Sequence, residues 1–297
     1  MAAGVSTLSR SGRYASIGRD TSDRSRFHVG LSRYRIALAP AAILLLVVGA
    51  AVLAPWIAPY EPNAFDLPNA LQGPTASHLL GTDQLGRDQL SRLIHGGRAT
   101  LLLSFLATIG VILLGMLVGV TAGYFGGLVD TAIGTVVTAL LAIPSLLLTL
   151  AILGILGAST TTLLVALIGA GWVGHARVFR AAILSIRQQP YVESAVSLGA
   201  SPARVILRHL LPNLLTTTVI LATLDFGGFL LTVSALSFLG LGVQPPTADW
   251  GTMLNDGRPY FDALPILVTL PGLCIMIVAF CSDFLGDSLR DAVDLGR

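Results

Sequence analysis

The chain contains the stretch LLLSFLATIGVILLGMLVGVTAGY, residues 101–124, in which no side chain is charged. An α-helix needs about 20 apolar residues to cross the roughly 30 Å hydrocarbon core of a bilayer. Backbone amides in lipid must be satisfied within the segment, so such a run is expected to be helical. Five similar runs accompany it, and together they predict six transmembrane helices. The predicted spans are 36–57, 101–124, 131–156, 162–183, 214–239 and 264–285.

Composition supports an all-α integral membrane fold. Of the 297 residues, 54% are hydrophobic and 11% are charged, and the mean hydropathy is +0.78. An ordinary soluble domain is about 45–50% apolar and about 25% charged. Pro144 and Pro271 interrupt two runs, which membrane helices tolerate when neighbouring groups satisfy the freed carbonyls. Cys274 and Cys281 share one apolar run, and we interpret both as packing residues because a helix cannot bring them to disulfide distance.

The placement of arginine predicts the orientation. All 18 basic residues are arginine. Arginine is abundant in the N-terminal tail and between the fourth and fifth spans, and the positive-inside rule therefore places both termini and this link in the cytoplasm. These arginines are 10, 13, 19, 24, 26, 33 and 35 in the tail and 177, 180, 187, 204 and 208 near the link, whereas the opposite side holds only 87, 92, 98 and 258.

Five regions follow from this topology. They are a cytoplasmic tail (1–35), the first span (36–57), an extracytoplasmic loop (58–100), a five-helix core (101–285) that includes a cytoplasmic link (184–213), and a cytoplasmic C-terminal tail (286–297). The serine-rich, acid-poor N-terminal tail also suits an organellar transit peptide, but it leads directly into a run too long for a signal peptide. A retained tail is the favoured interpretation.

Small and acidic residues mark the spans. Gly115, Gly119 and Gly123 recur every four residues and predict one helix face that lets another backbone approach closely. Asp225 is the one clear acid within the predicted spans, and an ionised carboxylate at mid-membrane costs about 2.5–3.5 kcal/mol on insertion scales. It is either a polar point on a substrate path or a residue near the membrane surface that is hydrogen-bonded to a neighbouring helix.

The predicted outer loop carries a charged segment, GTDQLGRD (81–88). Thr82 or Asp83 is a plausible helix N-cap. The spacing predicts exposed (i, i+4) ion pairs, Asp83 with Arg87 and Asp88 with Arg92, each worth a few tenths of a kcal/mol. Two histidines, 78 and 95, lack a third nearby ligand, so no metal site is predicted. Two further acids, 283 and 287, are expected where the last span leaves the membrane.

The link is predicted to form two short helices. Residues 191–198 favour a helix that Gly199 ends, and Ser201 with Pro202 is typical of a new helix start. Glu193, small neighbours and an arginine face suit docking into a partner's groove. They suit an ordinary amphipathic connector equally well.

A resemblance to a known family favours docking. Glu193-Ser194-Ala195, then Gly199, then Leu211-Pro212, resembles the EAA motif of permease subunits in bacterial ATP-binding cassette importers. Ser194 and His209 depart from the usual alanine and isoleucine. Further segments resemble the dipeptide and oligopeptide branch, whose relatives also carry nickel or glutathione. These are GTDQLGRD (81–88), GYFGG (123–127), AIPS (142–145), LSFLGLGVQPP (236–246) and LGDSLRD (285–291), after which Leu295 stands where the family usually shows proline.

The resemblance implies a function and a set of partners. The chain would be the second of two homologous permeases in the bacterial plasma membrane, surrounded by lipid and served by an extracytoplasmic substrate-binding protein. Two ATPase subunits, which carry ATP and magnesium, would dock on the link, while this chain would bind no cofactor and no nucleic acid. Peptides are the expected cargo, with nickel or glutathione as alternatives. The implied docking residues are Glu193, Ser194, Ala195, Gly199, Ala200 and Arg204.

Other function classes fit less well. A Walker phosphate-binding loop needs a lysine, and the chain has none, so it is not expected to be the ATPase itself. An ion-coupled secondary transporter would need buried carboxylates or interrupted, pseudo-symmetric spans, for which Asp225 is the only candidate. A membrane enzyme would need paired acids, a ligand cluster or a nucleophile constellation. None is found in the spans, so no catalytic residue is predicted.

Overall fold

The structure is a computed structural model that describes residues 38–294, with side chains up to residue 292. The predicted N-terminal tail (1–35) and residues 295–297 lie outside the described residues. Within them, every extended regular element is a helix, and strand pairing is limited to one isolated bridge between Thr82 and Asp88. The expectation of an all-helical fold is confirmed.

Eleven α-helices make up the described chain, together with short 3-10 and π segments. The helices are α1 (Leu38–Val52), α2 (Ala54–Ile57), α3 (Gln89–Phe125), α4 (Gly127–Leu141), α5 (Ser145–Leu156), α6 (Thr160–Arg187), α7 (Pro190–Ser197), α8 (Pro202–Val205), α9 (Leu211–Phe238), α10 (Trp250–Gly257) and α11 (Ile266–Asp294). The 3-10 turns are Leu67–Asn69 and Arg258–Tyr260, and the π-turn is Ile206–Leu210.

Between residues 38 and 294, four helical stretches are long and apolar enough to cross a membrane, namely α3, α6, α8 continued through α9, and α11. The pair α4 and α5 is a possible fifth span. Within the first predicted span, the structure describes α1, which ends at Val52, and then the separate turn α2, which contains Pro55. Proline lacks an amide proton and its ring clashes with the preceding turn, which explains the break. The count of six spans therefore stays a prediction.

The glycine face of α3 packs against α6, as its spacing predicts. A Cβ atom on Gly115 would lie 2.5 Å from the Cβ of His175, and one on Gly119 would lie 2.5 Å from the carbonyl oxygen of Ala176. Gly123 meets Ile183 further along, so the two helices run parallel. α9 runs antiparallel to α6, because Gly171 meets Phe229 and the later His175 meets the earlier Asp225. α11 runs antiparallel to α9, because Gly227 meets Ala279 and the earlier Leu224 meets the later Gly286.

The third predicted span is not one straight helix. α4 ends at Leu141, α5 begins at Ser145, and their axes differ by 88°. Pro144 precedes α5 with extended backbone, at φ −54° and ψ 128°, and its lack of an amide proton stops continuation of α4. The prediction that 131–156 forms one span stays a prediction, because the bent pair is either one broken span or a re-entrant loop. In contrast, Pro271 lies inside the continuous helix α11.

The two ends of the bundle differ. We call the end that carries residues 58–88 and α10 the loop end, and the end that carries residues 188–210 the link end. At the loop end, the buried carboxylate of Asp249 accepts hydrogen bonds from Thr100 Oγ1 (2.5 Å) and the Thr252 amide (3.2 Å), so it caps α10. Burial raises the pKa of Asp249. The indole of Trp250 donates to the Leu93 carbonyl (2.9 Å) and lies on Gly97, which joins α10 to α3.

The segment 81–88 is a buried polar turn and not an exposed helix. Asp83 and Arg87 are 4% exposed, and their side chains are paired at 2.6 Å. Arg92 lies 3.3 Å from Asp83, and the NH2 group of Arg87 lies 3.3 Å from Asp256 of α10. The predicted exposure of these pairs, and the pairing of Arg92 with Asp88, are therefore wrong, because the loop folds over them.

Asp88 is the true N-cap of α3. Its carboxylate accepts from the Ser91 amide (2.8 Å) and hydroxyl (2.7 Å), and its other oxygen contacts His78 Nδ1 (2.9 Å). The prediction of Thr82 or Asp83 as the cap was wrong. α3 therefore begins 12 residues before the predicted span, and its polar first turns are covered by protein.

The last span is also longer than predicted. α11 continues to Asp294, so the helix does not end near Asp283 or Asp287. Instead, the carboxylate of Asp283 lies against Gly227 in the middle of α9, where an added Cβ would meet its Oδ1 at 2.5 Å. A second acid therefore lies at the level of the α9 midpoint.

Candidate functional site

The link between α6 and α9 forms the two helices expected from its sequence. α7 is followed by Gly199, whose φ of +80° lies in the left-handed region that favours glycine. The Ala200 amide donates to the Ala195 carbonyl (3.1 Å) and the Gly199 amide to the Val196 carbonyl (2.9 Å), which closes the C-terminus of α7. α8 then starts with Pro202 at its first position, after Ser201 with extended backbone.

Buried apolar side chains hold the link against the bundle. Val192 of α7 is 1% exposed, and Val205 of α8 and Leu210 of the π-turn are fully buried. They pack in one cluster with Phe179 and Ile183 of α6. Arg187 adds a hydrogen bond to the Tyr124 carbonyl (2.9 Å), which connects the ends of α3 and α6. The link is therefore anchored to three helices on its inner side.

The outer side of the link is largely exposed, and Tyr191 on it also lies against the ring of His209, at 6.2 Å between ring centroids. Leu198 is 89% exposed, Val196 is 52% exposed and Tyr191 is 45% exposed. Glu193 is exposed between them, in the first turn of α7, where a negative charge is favourable for the helix dipole. An apolar patch around one carboxylate is suited to contact with another protein.

The six docking residues implied by the resemblance lie on this one helical hairpin. Glu193, Ser194, Gly199 and Arg204 are exposed, and Ala195 and Ala200 are half-buried. The Ser194 hydroxyl donates to the Pro190 carbonyl (2.7 Å), so it is satisfied within α7. An added Cβ on Gly199 would meet nothing within 4 Å. The glycine is therefore required by its backbone conformation and not by crowding within this chain.

A polar pair lies between the middles of α6 and α9. His175 Nε2 is 2.5 Å from Asp225 Oδ2, and His175 Nδ1 is 3.2 Å from the Gly171 carbonyl. At 1.5 Å per residue, each side chain lies about 20 Å from the ends of its helix. Asp225 is therefore remote from both ends of α9, and the expected hydrogen bond to a neighbouring helix is present. Its two interpretations, a point on a substrate path and a residue near the membrane surface, both stay predictions.

Sequence reasoning missed His175. The two partners are 50 residues apart, so no local spacing links them. The available signal was a histidine inside an apolar run, because polar side chains in such runs usually pair with one another.

A cavity of about 500 Å³ reaches His175 of this pair, while Asp225 itself is not part of the cavity wall. Its wall includes His175, the Pro144 bend and residues from α5 and α9. The polar members of the wall other than His175 are Ser145, Thr149 and Thr232, and the rest are apolar, chiefly Leu140, Ile143, Leu146, Leu167, Val173 and Phe229. The bend between α4 and α5 thus opens a mainly apolar pocket at the level of the polar pair.

A second cavity of about 700 Å³ lies nearer the link end, between α4 and α6. Arg180 makes a bidentate contact with Asp130, and Arg177 lines the same space. This pair anchors the start of α4 on α6. Among the described residues, no group of three or more histidine, cysteine or acidic side chains could hold a metal ion.

Comparison with known proteins gives the family. Residues 112–294 match the model of the binding-protein-dependent transport system inner membrane component, and residues 30–74 match the N-terminal transmembrane domain of oligopeptide transport permease C. In fold, the chain is similar to the methionine ABC transporter MetNI in an inward-facing conformation, with a TM-score of 0.54, 20% identity, and coverage of 69% of this chain and 97% of that one.

Three curated relatives cover most of the chain. The nickel transport system permease protein NikC of Escherichia coli (strain K12) is 39% identical, with 89% of this chain and 95% of the relative covered. The di/tripeptide transport system permease protein DppC of Pseudomonas aeruginosa (strain UCBPP-PA14) is 39% identical, with 87% of each covered. The glutathione transport system permease protein GsiD of Escherichia coli O6:K15:H31 is 36% identical, with 91% of each covered.

These relatives are transport subunits, so the expectation that this chain has no ATPase site of its own is confirmed, and the ion-coupled alternative is not favoured. The chain belongs to the binding-protein-dependent transport system inner membrane component family and is a multi-pass permease subunit of an ATP-binding cassette importer.

Proposed function

We propose that this chain carries di- or oligopeptides across the bacterial plasma membrane, driven by separate ATPase subunits that dock on α7. The main support for this proposal is the structure of the link. Buried Val192 and Val205 anchor it to the bundle on one side, and Glu193 and Leu198 are exposed on the other. A force applied to such a hairpin is transmitted to α6 and α9, since the same apolar cluster includes both helices.

The orientation follows from the arginine distribution. The link end faces the cytoplasm, both termini are cytoplasmic and the loop end faces outside. The partner set is a second homologous permease, two ATPase subunits with ATP and magnesium, and an extracytoplasmic substrate-binding protein that approaches the loop end. In this arrangement, ATP-driven closure of the motor subunits moves α7 as a rigid lever, and the attached helices tip between inward and outward states.

Peptide cargo is supported by two observations. Residues 30–74 match a domain of oligopeptide transport permease C. The mid-helix cavity of about 500 Å³ falls in the range of pockets that hold small organic molecules, about 300–1,000 Å³. Nickel and glutathione are the alternatives within the same importer type, because the nickel and peptide relatives are both 39% identical to this chain. We assign Asp225 to the cargo path.

The test measures coupling. Cells produce the chain with the transport components encoded beside it, and uptake of radiolabelled trialanine is measured together with ATP hydrolysis in isolated membranes. Glu193→Ala and Gly199→Asp are expected to reduce uptake to background and to abolish stimulation of ATP hydrolysis by the loaded binding protein, while the amount of inserted chain is unchanged.

Gln188→Ala is the matched control, because Gln188 is an exposed residue just before α7 and outside the implied docking set. It should transport normally. Normal uptake by both docking variants at normal expression would refute the assignment of the link.

A further inference from the structure

The His175 and Asp225 pair is the least expected feature of the bundle interior. Asp225 is 28% exposed and His175 is 14% exposed, so neither is sealed within this chain. Only Oδ2 of Asp225 is engaged by His175, and its Oδ1 makes no hydrogen bond to another described residue. One carboxylate oxygen near the middle of a long apolar helix is thus left open.

Lipid is an unfavourable neighbour for this oxygen. A carboxylate near the bilayer centre is strongly unfavourable and almost always faces protein or a water-filled space. α4 and α5 bend by 88° and leave a cavity open against His175, and Phe229 and Thr232, one and two turns beyond Asp225 on α9, line the same cavity. The exposed face of Asp225 is therefore expected to look into a polar space of the assembled importer.

The position of His175 is fixed by packing. The Cβ atom of His175 lies against Gly115, where α3 approaches α6. A Cβ atom added to Gly115 would lie 2.5 Å from the Cβ atom of His175. The Gly171 carbonyl contacts the other ring nitrogen. The imidazole is held from both sides and in turn fixes the carboxylate, which is the arrangement of a preorganised site.

The form of the cavity selects the kind of ligand. About 500 Å³ with a mainly apolar wall is much larger than a bare metal ion requires. The described residues also offer no third histidine, cysteine or acidic ligand to complete a metal site. An organic molecule with one positive charge and an apolar body fits both the open carboxylate and the wall.

We propose that Asp225 receives the ammonium group of an organic cargo during its passage, with His175 as the positioning residue that orients the carboxylate. The cargo body lies against the pocket formed by the Pro144 bend, Phe229 and Thr232. This proposal rests on the proposed peptide function and specifies its chemistry: a free amino terminus is the recognised group.

The experiment uses the complete importer in proteoliposomes, with this chain, its partner permease, both ATPase subunits and the binding protein. Uptake of trialanine and ATP hydrolysis are measured in the same sample, and uptake of nickel chloride is measured in a parallel one. The variants are Asp225→Asn, Asp225→Glu and His175→Gln. The matched control is Asp283→Asn, a carboxylate at a similar level on the neighbouring helix α11.

The expected result is a change in the ratio of cargo moved to ATP hydrolysed. Asp225→Asn should lower this ratio at least tenfold, because delivered cargo still triggers ATP hydrolysis but is not held. Asp225→Glu should recover part of the ratio, His175→Gln should give an intermediate loss, and Asp283→Asn should behave as the original chain.

Three outcomes overturn the inference. If the pair only joins α6 to α9, uptake and ATP hydrolysis fall in parallel and the ratio is unchanged. If Asp225→Asn transports trialanine normally, the carboxylate is not a cargo site, although the peptide function stands. If the original chain moves nickel and not trialanine, the peptide function fails, and loss of that nickel uptake in Asp225→Asn would identify the pair as a metal site.

Discussion

The backbone contact of α3 with α6 at Gly119 gives the sharpest prediction. A Cβ on Gly119 would lie 2.5 Å from the Ala176 carbonyl oxygen, 2.8 Å from Phe179 Cβ and 2.9 Å from the Arg180 amide nitrogen. None of these atoms belongs to the mobile end of a side chain, so Gly119→Ala requires the helices to separate. A gap of about 0.5–1 Å loses a quarter to a half of the dispersion energy of each contact. Overpacking of this kind costs about 1–3 kcal/mol.

The measurement is thermal stability of the full chain in detergent, followed by size-exclusion chromatography after heating. With about 2–4 °C per kcal/mol for chains of this size, Gly119→Ala should lower the midpoint by about 2–12 °C. Gly134→Ala on α4 is the control, because its Cβ would meet nothing within 4 Å. Alanine favours a helix over glycine by up to about 1 kcal/mol, so this control should be neutral or stabilising. Equal midpoints for the two variants would refute the close α3–α6 contact.

Two further predictions concern the loop end and use the same measurement. Asp249→Ala removes the cap of α10 and should lower the free energy of unfolding by about 0.5–2 kcal/mol. As a control, replacement of the exposed Asp262 by alanine should change it by less than about 0.5 kcal/mol. Equal losses of stability in the two variants would contradict the capping role. Gly86→Ala places a Cβ 1.8 Å from the Asp66 carbonyl oxygen, at a residue whose φ is +75°. The left-handed backbone alone costs a side chain about 1–2 kcal/mol. Because the clash adds to this strain, the free energy of unfolding should fall by more than that amount. Gly73→Ala, with open space around it, is its control, and a similar effect of both would show that the turn is not tightly packed.

Features with local causes could be predicted from the sequence. Gly199 favours the end of a helix and Pro202 favours a helix start, each through its own backbone preference. The structure accordingly has α7 before Gly199 and α8 beginning at Pro202. The spacing of Gly115 and Gly119 on α3 likewise identified a contact face, because helical periodicity alone places them on one side.

Features that depend on distant partners could not be predicted. Arg87 and Arg92 share Asp83 and Asp256 only because α10 folds onto the loop, more than 160 residues later in the chain. A hydropathy pattern also finds only the apolar part of α3, since its first turns are covered by protein and not by lipid. At Pro144, the sequence identified an interruption of the third run but not its angle of 88°, and the structure has α5 packed against α6 beyond this bend.

The burial of Trp250 has an optical consequence. This indole is 2% exposed and hydrogen-bonded to α3, whereas Trp56 is 77% exposed. The only other tryptophan of the chain, Trp172, is partly buried in α6. Replacing Trp56 and Trp172 by phenylalanine would leave a single emitter at the joint between α10 and α3. Its emission wavelength and its accessibility to acrylamide would then report, in real time, whether the loop end opens while the importer turns over.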